Sequence, residues 1–161
     1  DVYKRQTGID PLPETDGRSL VPLLQEQGQS DRNYVVTQIN RTSGRNEYRM
    51  RSVLDQQFGY IYNAWANGET RFRNESQNGL TMKAMLRAAE DDDQIAERVK
   101  LFLYRTPEEF YDYQNDPDAL VNLIDDPRYE RQIKQSRQRL LQTMQETQDP
   151  ELDGFERFLG S

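Results

Sequence analysis

Four short runs of the chain place apolar residues as extended backbone does, and three others place them as helices do. Tyr34-Val-Val-Thr-Gln-Ile39 is dense in β-branched residues and predicts a strand. From Tyr48 to Leu54 the period is two: Tyr48, Met50, Ser52 and Leu54 share one face, and Arg49, Arg51 and Val53 the other. Phe58-Gly-Tyr-Ile-Tyr-Asn63 predicts a third strand, and the connection Asp55-Gln56-Gln57 makes the second and third an antiparallel hairpin. Glu109 to Tyr113 predicts a fourth, ended by the turn residues Asn115-Asp116-Pro117-Asp118. Helical spacing governs Met82, Met85, Leu86 and Ala89 behind a capping Thr81. It also governs Ile95, Val99 and Phe102 behind Asp91-Asp92-Asp93, and Ile133, Leu140, Leu141 and Met144 across Tyr129 to Gln148. Asp126 before Pro127 is the start signal of that last helix, and Asp149-Pro150 stops it. Leu120 and Leu123 are expected to pin the crossing segment to the core. The predicted fold is α+β: a small four-stranded antiparallel sheet packed by a long C-terminal amphipathic helix and shorter helices. Residues 64 to 80, which carry the sole Trp65, fit neither period.

Composition qualifies this picture. Leu, Ile, Val and Phe make only 34 of 161 residues, a thin aliphatic core, although 16 aromatic residues argue against disorder. Such a domain is easiest to understand if part of its apolar face packs against a further body. The net charge of -7 disfavours nucleic acid as a partner, and no run is long and apolar enough to span a bilayer. The absence of Cys rules out disulfides and thiolate metal sites; the absence of His removes the commonest general base and metal ligand.

The run Glu109-Phe-Tyr-Asp-Tyr-Gln-Asn-Asp-Pro-Asp-Ala-Leu-Val-Asn-Leu123 resembles the C-terminal motif of type I, formylglycine-dependent sulfatases, spelled Tyr-Asp, Asp-Pro, then Glu-x-x-Asn-Leu. Ala119 stands where that family usually has Glu. Tyr48 to Asn63, Phe72-Arg-Asn-Glu-Ser76, Phe102-Leu-Tyr-Arg105 and Glu146-Thr-Gln-Asp-Pro150 are similar to the heparan N-sulfatase (sulfamidase, N-sulfoglucosamine sulfohydrolase) branch. The resemblance implies the C-terminal subdomain, residues 34–161, of a parent enzyme of the alkaline-phosphatase-like superfamily that hydrolyses sulfate esters or sulfamates of sulfated glycans. Residues 7–33 would be the tail of its catalytic domain and a linker. Residues 1–6, Asp-Val-Tyr-Lys-Arg-Gln, look like a non-native adapter-derived segment.

The parent would need formylglycine and calcium, but this chain has no Cys, and no Ser is followed two positions later by Pro. It is therefore expected to hold no catalytic residue, metal ligand or cofactor, and to be inactive alone. Its implied partners are the missing N-terminal catalytic domain and a sulfated glycan, with periplasmic or secreted location by resemblance. Candidate substrate-binding residues are Asn40, Arg41 and, more weakly, Arg45, since Asn40 and Arg41 occupy the positions of the branch's His-Glu pair while Gln38 and Thr42 match it. A neutral amide and a cation cannot replace an imidazole and a carboxylate, so glucosamine recognition does not carry over. Six arginines (41, 45, 49, 51, 71 and 73) stand against three acids between Arg41 and Arg73. They fit either sulfate recognition or the solvent face of an edge hairpin, and the second is expected for most of them. Asp91 to Asp93 read as a capped helix start rather than a metal cluster. The alternative to a sulfatase part is a non-catalytic glycan- or protein-binding α+β domain.

Overall fold

The computed structural model describes residues 20–27, 33–42 and 44–160. The chain divides into two compact units at Arg32/Asn33. The first shows one described element, the helical turn α1 (Val21–Leu24), with Pro22 in its first turn and the Leu24 N–H donating to the Leu20 carbonyl. The adapter-like residues 1–6 and most of the expected linker lie outside the described residues.

The second unit is built on a sheet in the order β1 (Tyr34–Arg41), β2 (Glu47–Asp55), β3 (Phe58–Asn63) and β4 (Glu108–Asp112), each antiparallel to the next. Asp55 Oδ1 accepts from the Gln57 and Phe58 N–H groups and so turns the β2–β3 hairpin. The register aligns Val36, Val53, Tyr60 and Phe110 across all four strands, on the inner face. Against that face lies α4 (Glu130–Glu146), preceded by a 3-10 turn (Pro127–Tyr129) in which the Asp126 side chain accepts from the Arg128 N–H. Ile133, Leu140 and Met144 join the inner-face residues in the main core.

Four sequence expectations need correction. The fourth strand begins one residue earlier than expected, because Glu108 still pairs with Tyr62. The helix α2 (Leu80–Ala88) is capped by Gly79, not Thr81: the preceding 3-10 turn (Glu75–Asn78) delivers Gly79 in extended conformation two positions before Thr81. Leu120 does not pin the chain to the core, since it is 60% exposed; Leu123 does so alone, with its N–H on the Phe110 carbonyl. Beyond the stop at Asp149-Pro150 lies the unforeseen helix α5 (Leu152–Leu159). It buries Phe155 completely, with ring centroids 4.7 Å from Tyr62.

Helix α3 (Asp93–Tyr104) starts as expected, with Asp92 Oδ1 accepting from the Gln94 and Ile95 N–H groups. With α2 it forms a second small core of Met82, Val99 and Leu103. The irregular stretch before α2 packs Trp65 and Phe72 edge-on to Tyr48 at 4.9 and 4.7 Å. On the outer face of the sheet, β1 and β2 pair Val35 with Leu54, Thr37 with Ser52 and Ile39 with Met50. Val35 and Ile39 are 57% and 47% exposed there.

Candidate functional site

Asn40, Arg41 and Arg45 come together at one place, the tip of the β1–β2 hairpin. The register shifts between Ile39 and Arg41, because three steps on β2 (Met50 to Glu47) oppose two on β1. This bulge twists the strand end away from the ladder and leaves Asn40 and Arg41 solvent-facing. Arg45 follows in the turn at φ 59°, held by its own N–H on the Thr42 carbonyl at 2.9 Å. Its side chain has no ion-pair partner among the described residues. Arg41 does: its Nη2 and Nε donate to Glu47 Oε1 at 2.6 and 3.2 Å. The hydrogen bond from Arg41, with the charges of Arg41 and Arg49, holds the Glu47 carboxyl below its ordinary pKa.

The arginines divide by environment. Arg49 reaches Glu151 through Nη1 and Glu47 Oε2 through Nη2 at 3.5 Å, and the Glu151 hydrogen bond raises its pKa. Arg51 is the exception to the solvated face expected for most of the six. It is 1% exposed and grips Asp149 with both ends of its fork, Nε to Oδ2 at 2.6 Å and Nη2 to Oδ1 at 2.8 Å. The reason is α5: the chain reverses at Asp149 and lays that carboxylate over the inner face, where period two has already put Arg51 beside Val53. Arg71 and Arg73 are exposed on either side of the buried Phe72.

Strand β4 carries two adjacent carboxylates that alternation sends to opposite faces. Glu108, on the inner face, takes Arg137 Nε and Nη2 at 2.8 and 2.5 Å and the Tyr60 hydroxyl. Burial first, and Glu108 second, push the Tyr60 phenol far above its ordinary pKa. Glu109, on the outer face and fully buried, takes Arg105 Nη1 at 2.9 and 3.0 Å, Asn63 Nδ2 at 2.7 Å and the Tyr111 hydroxyl at 2.6 Å. Both are taken up by these structural contacts, and their opposite faces keep them from acting as a pair. Among the described residues no group of three or more acidic side chains could hold a metal ion.

The motif residues after β4 organise backbone. Asp112 accepts from the Gln114 and Asn115 N–H groups, Asn115 Nδ2 and the Tyr129 hydroxyl. Asp116 Oδ2 accepts from the Leu120 and Val121 N–H groups, and Asn122 ties Phe110 N–H to Ile124 N–H through one oxygen.

No protein-family profile matches the chain, and no curated protein does. Solved structures do. A 2-O GAG sulfatase and a candidate sulfatase from Bacteroides thetaiotaomicron VPI-5482 each superpose on 91% of the chain at 20% identity and TM-score 0.58. A third, solved with its substrate D-glucosamine-2-N,6-O-disulfate, covers 94% at 17% identity and TM-score 0.59. The chain has the fold of part of these proteins. It spans 24% of the length of each.

Proposed function

We propose that this chain is the C-terminal subdomain of a formylglycine-dependent sulfatase of the heparan N-sulfatase type, and that it walls the substrate cleft without supplying chemistry. The observation carrying this reading is the superposition of more than nine-tenths of the chain on a quarter of several sulfatases, joined to the Tyr-Asp, Asp-Pro and Asn-Leu motif that builds the loop after β4. The exposed Val35 and Ile39, beside half-buried Met50, Leu54 and Ile61, suit a face that another body covers. That body is the parent's catalytic domain, which would bring formylglycine, calcium and the activating bases, in an exported enzyme acting on sulfated glycans.

The hairpin tip is the part of the subdomain that reaches this cleft. Because Glu47 already neutralises Arg41, Arg45 is the better ligand for a sulfate or uronate group, with Asn40 and Arg41 beside it. The test is kcat/KM on a sulfated disaccharide for the enzyme reconstructed from the upstream coding sequence. Arg45→Ala should lower it ten-fold or more, since a desolvated charged hydrogen bond contributes on the order of 1.5–3 kcal/mol; Arg41→Ala should lower it less. A change under about two-fold in both, roughly 0.4 kcal/mol, removes the tip from the site. Turnover by residues 1–161 alone refutes the subdomain reading itself.

A further inference from the structure

Below the loop that follows β4 lies a half-open cavity of about 170 Å³, many times the ~15 Å³ that one water needs. Its floor is apolar, from Ile61 on the outer sheet face and Leu101 and Phe102 of α3; its polar wall is Arg98, Arg105, Tyr111 and Tyr113, and Ala119 forms its rim.

The charges around it do not balance. Glu109 neutralises Arg105 but occupies only Nη1, and the Arg105 Nε is buried without a hydrogen-bond partner. Arg98 donates to the backbone carbonyls of Ala119 at 2.6 Å and Asp118 at 3.4 Å and forms no ion pair among the described residues. The Tyr111 hydroxyl is committed to Glu109, and no carboxylate is among the residues that line the cavity. One uncompensated positive charge therefore stands at a pocket whose opposite wall is hydrocarbon. A guanidinium in that setting gains most from a planar monoanion with two acceptor oxygens. The rim is also fixed rather than adaptable: Asp116 holds the Leu120 and Val121 N–H groups, and Ala119 sits at φ 50° under the Arg98 clamp.

We propose that this cavity binds a carboxylate, either that of a small free acid or that of a uronate residue in a glycan. Ala119 makes the space: a Glu there would place its own carboxylate at the two guanidiniums and fill the pocket from within. The inference stands whether or not the chain belongs to a sulfatase, because it uses only residues of this unit.

The experiment is an NMR titration of the full 161-residue chain with sodium acetate, sodium glucuronate, methyl sulfate and sodium chloride at matched ionic strength. Acetate should give saturable, millimolar shifts confined to Arg98, Arg105, Tyr113 and Ala119. Equal or tighter binding of glucuronate identifies the glycan source, and binding of acetate but not glucuronate the free acid. Two variants separate charge from filling. Ala119→Glu should abolish the acetate response and raise Tm by several degrees, whereas Ala119→Gln should abolish the response without that rise. The proposal is overturned if neither carboxylate saturates, if methyl sulfate binds and acetate does not, if Ala119→Glu binds acetate as wild type does, or if Glu and Gln shift Tm equally.

Discussion

Arg51 sits in the stretch that looks most like a polyanion site, yet its geometry assigns it to stability, and the two roles predict opposite results. Its fork holds Asp149 at 2.6 and 2.8 Å, and its Nη1 also donates to the Met50 carbonyl at 2.9 Å. The side chains are 1% and 8% exposed. Removing one member leaves a charge in a place water hardly reaches, which costs about 3–5 kcal/mol in comparable pairs. At roughly 2–4 °C per kcal/mol for a chain of this size, Arg51→Ala should lower Tm by about 6–20 °C. The double variant Arg51→Met with Asp149→Leu keeps the volume and strands no charge, so it should recover most of that loss. The pH dependence follows from Asp149. Burial alone would raise its pKa, but the Arg51 hydrogen bond, the Glu151 N–H and the Arg51 charge outweigh it and hold it below 3.8. A carboxylate with a depressed folded pKa contributes stability that is complete above its unfolded value and is lost as pH falls through the folded one. The wild type should therefore lose stability below about pH 3.8 faster than the double variant does. Urea melts of the wild type, Arg51→Ala and the double variant, read at pH 7 and pH 3, supply the numbers. A loss under about 1 kcal/mol for Arg51→Ala, the range of exposed pairs, would show that the pair is not buried in solution and that the stability role is wrong.

Gly59→Ala should cost about 1–3 kcal/mol by overpacking, because a Cβ there would meet Cε2 and Cζ of Tyr113 at 2.7 Å; Tyr113→Leu in the same chain should recover most of it in a urea melt. Tyr60→Phe should shift the urea midpoint by the equivalent of roughly 1–2 kcal/mol without changing the slope, since Glu108 loses the phenol donor but keeps Arg137.

The strands and the long helix were legible because their signals are local and agree with one another. Val36, Val53, Tyr60 and Phe110 each follow the alternation of their own strand, and Ile133, Leu140 and Met144 follow the period of theirs. What escaped were features set by distant partners. Asp149-Pro150 reads as an end, and it is the end of α4; that the chain turns there and returns as α5 depends on Phe155 finding Tyr62, which no local pattern encodes. Arg51 looked solvated because a charge on a strand usually is, and only the reversal at Asp149 makes it a core residue. Leu120 looked like an anchor because it is apolar and next to a turn, but Asp116 holds its backbone N–H, and Leu123 rather than Leu120 goes inward. The candidate site was legible in part. The place of Asn40, Arg41 and Arg45 at one hairpin tip followed from strand order, whereas the pairing of Arg41 with Glu47 needed the bulge. The cavity under Ala119 draws on β3, α3, β4 and the loop between 113 and 119, and no spacing in the sequence joins them.

The arginines of the β1–β2 hairpin gain a common logic once their partners are known. Arg51 and Arg49 fasten β2 to the corner between α4 and α5, one through Asp149 and the other through Glu151. Both are within six residues of Arg45. A hairpin of this length would otherwise be an edge held by backbone bonds on one side only, free to fray from its tip. Tying its second strand to the helix corner fixes the direction in which the tip projects, so that Asn40, Arg41 and Arg45 are presented by a supported element rather than a loose loop. A recognition residue loses most of its worth if it must be ordered on binding. Arg51, which is buried, and Arg49, which is exposed, thus set the geometry of the tip, and on the proposed reading Arg41 and Arg45 meet the anion there.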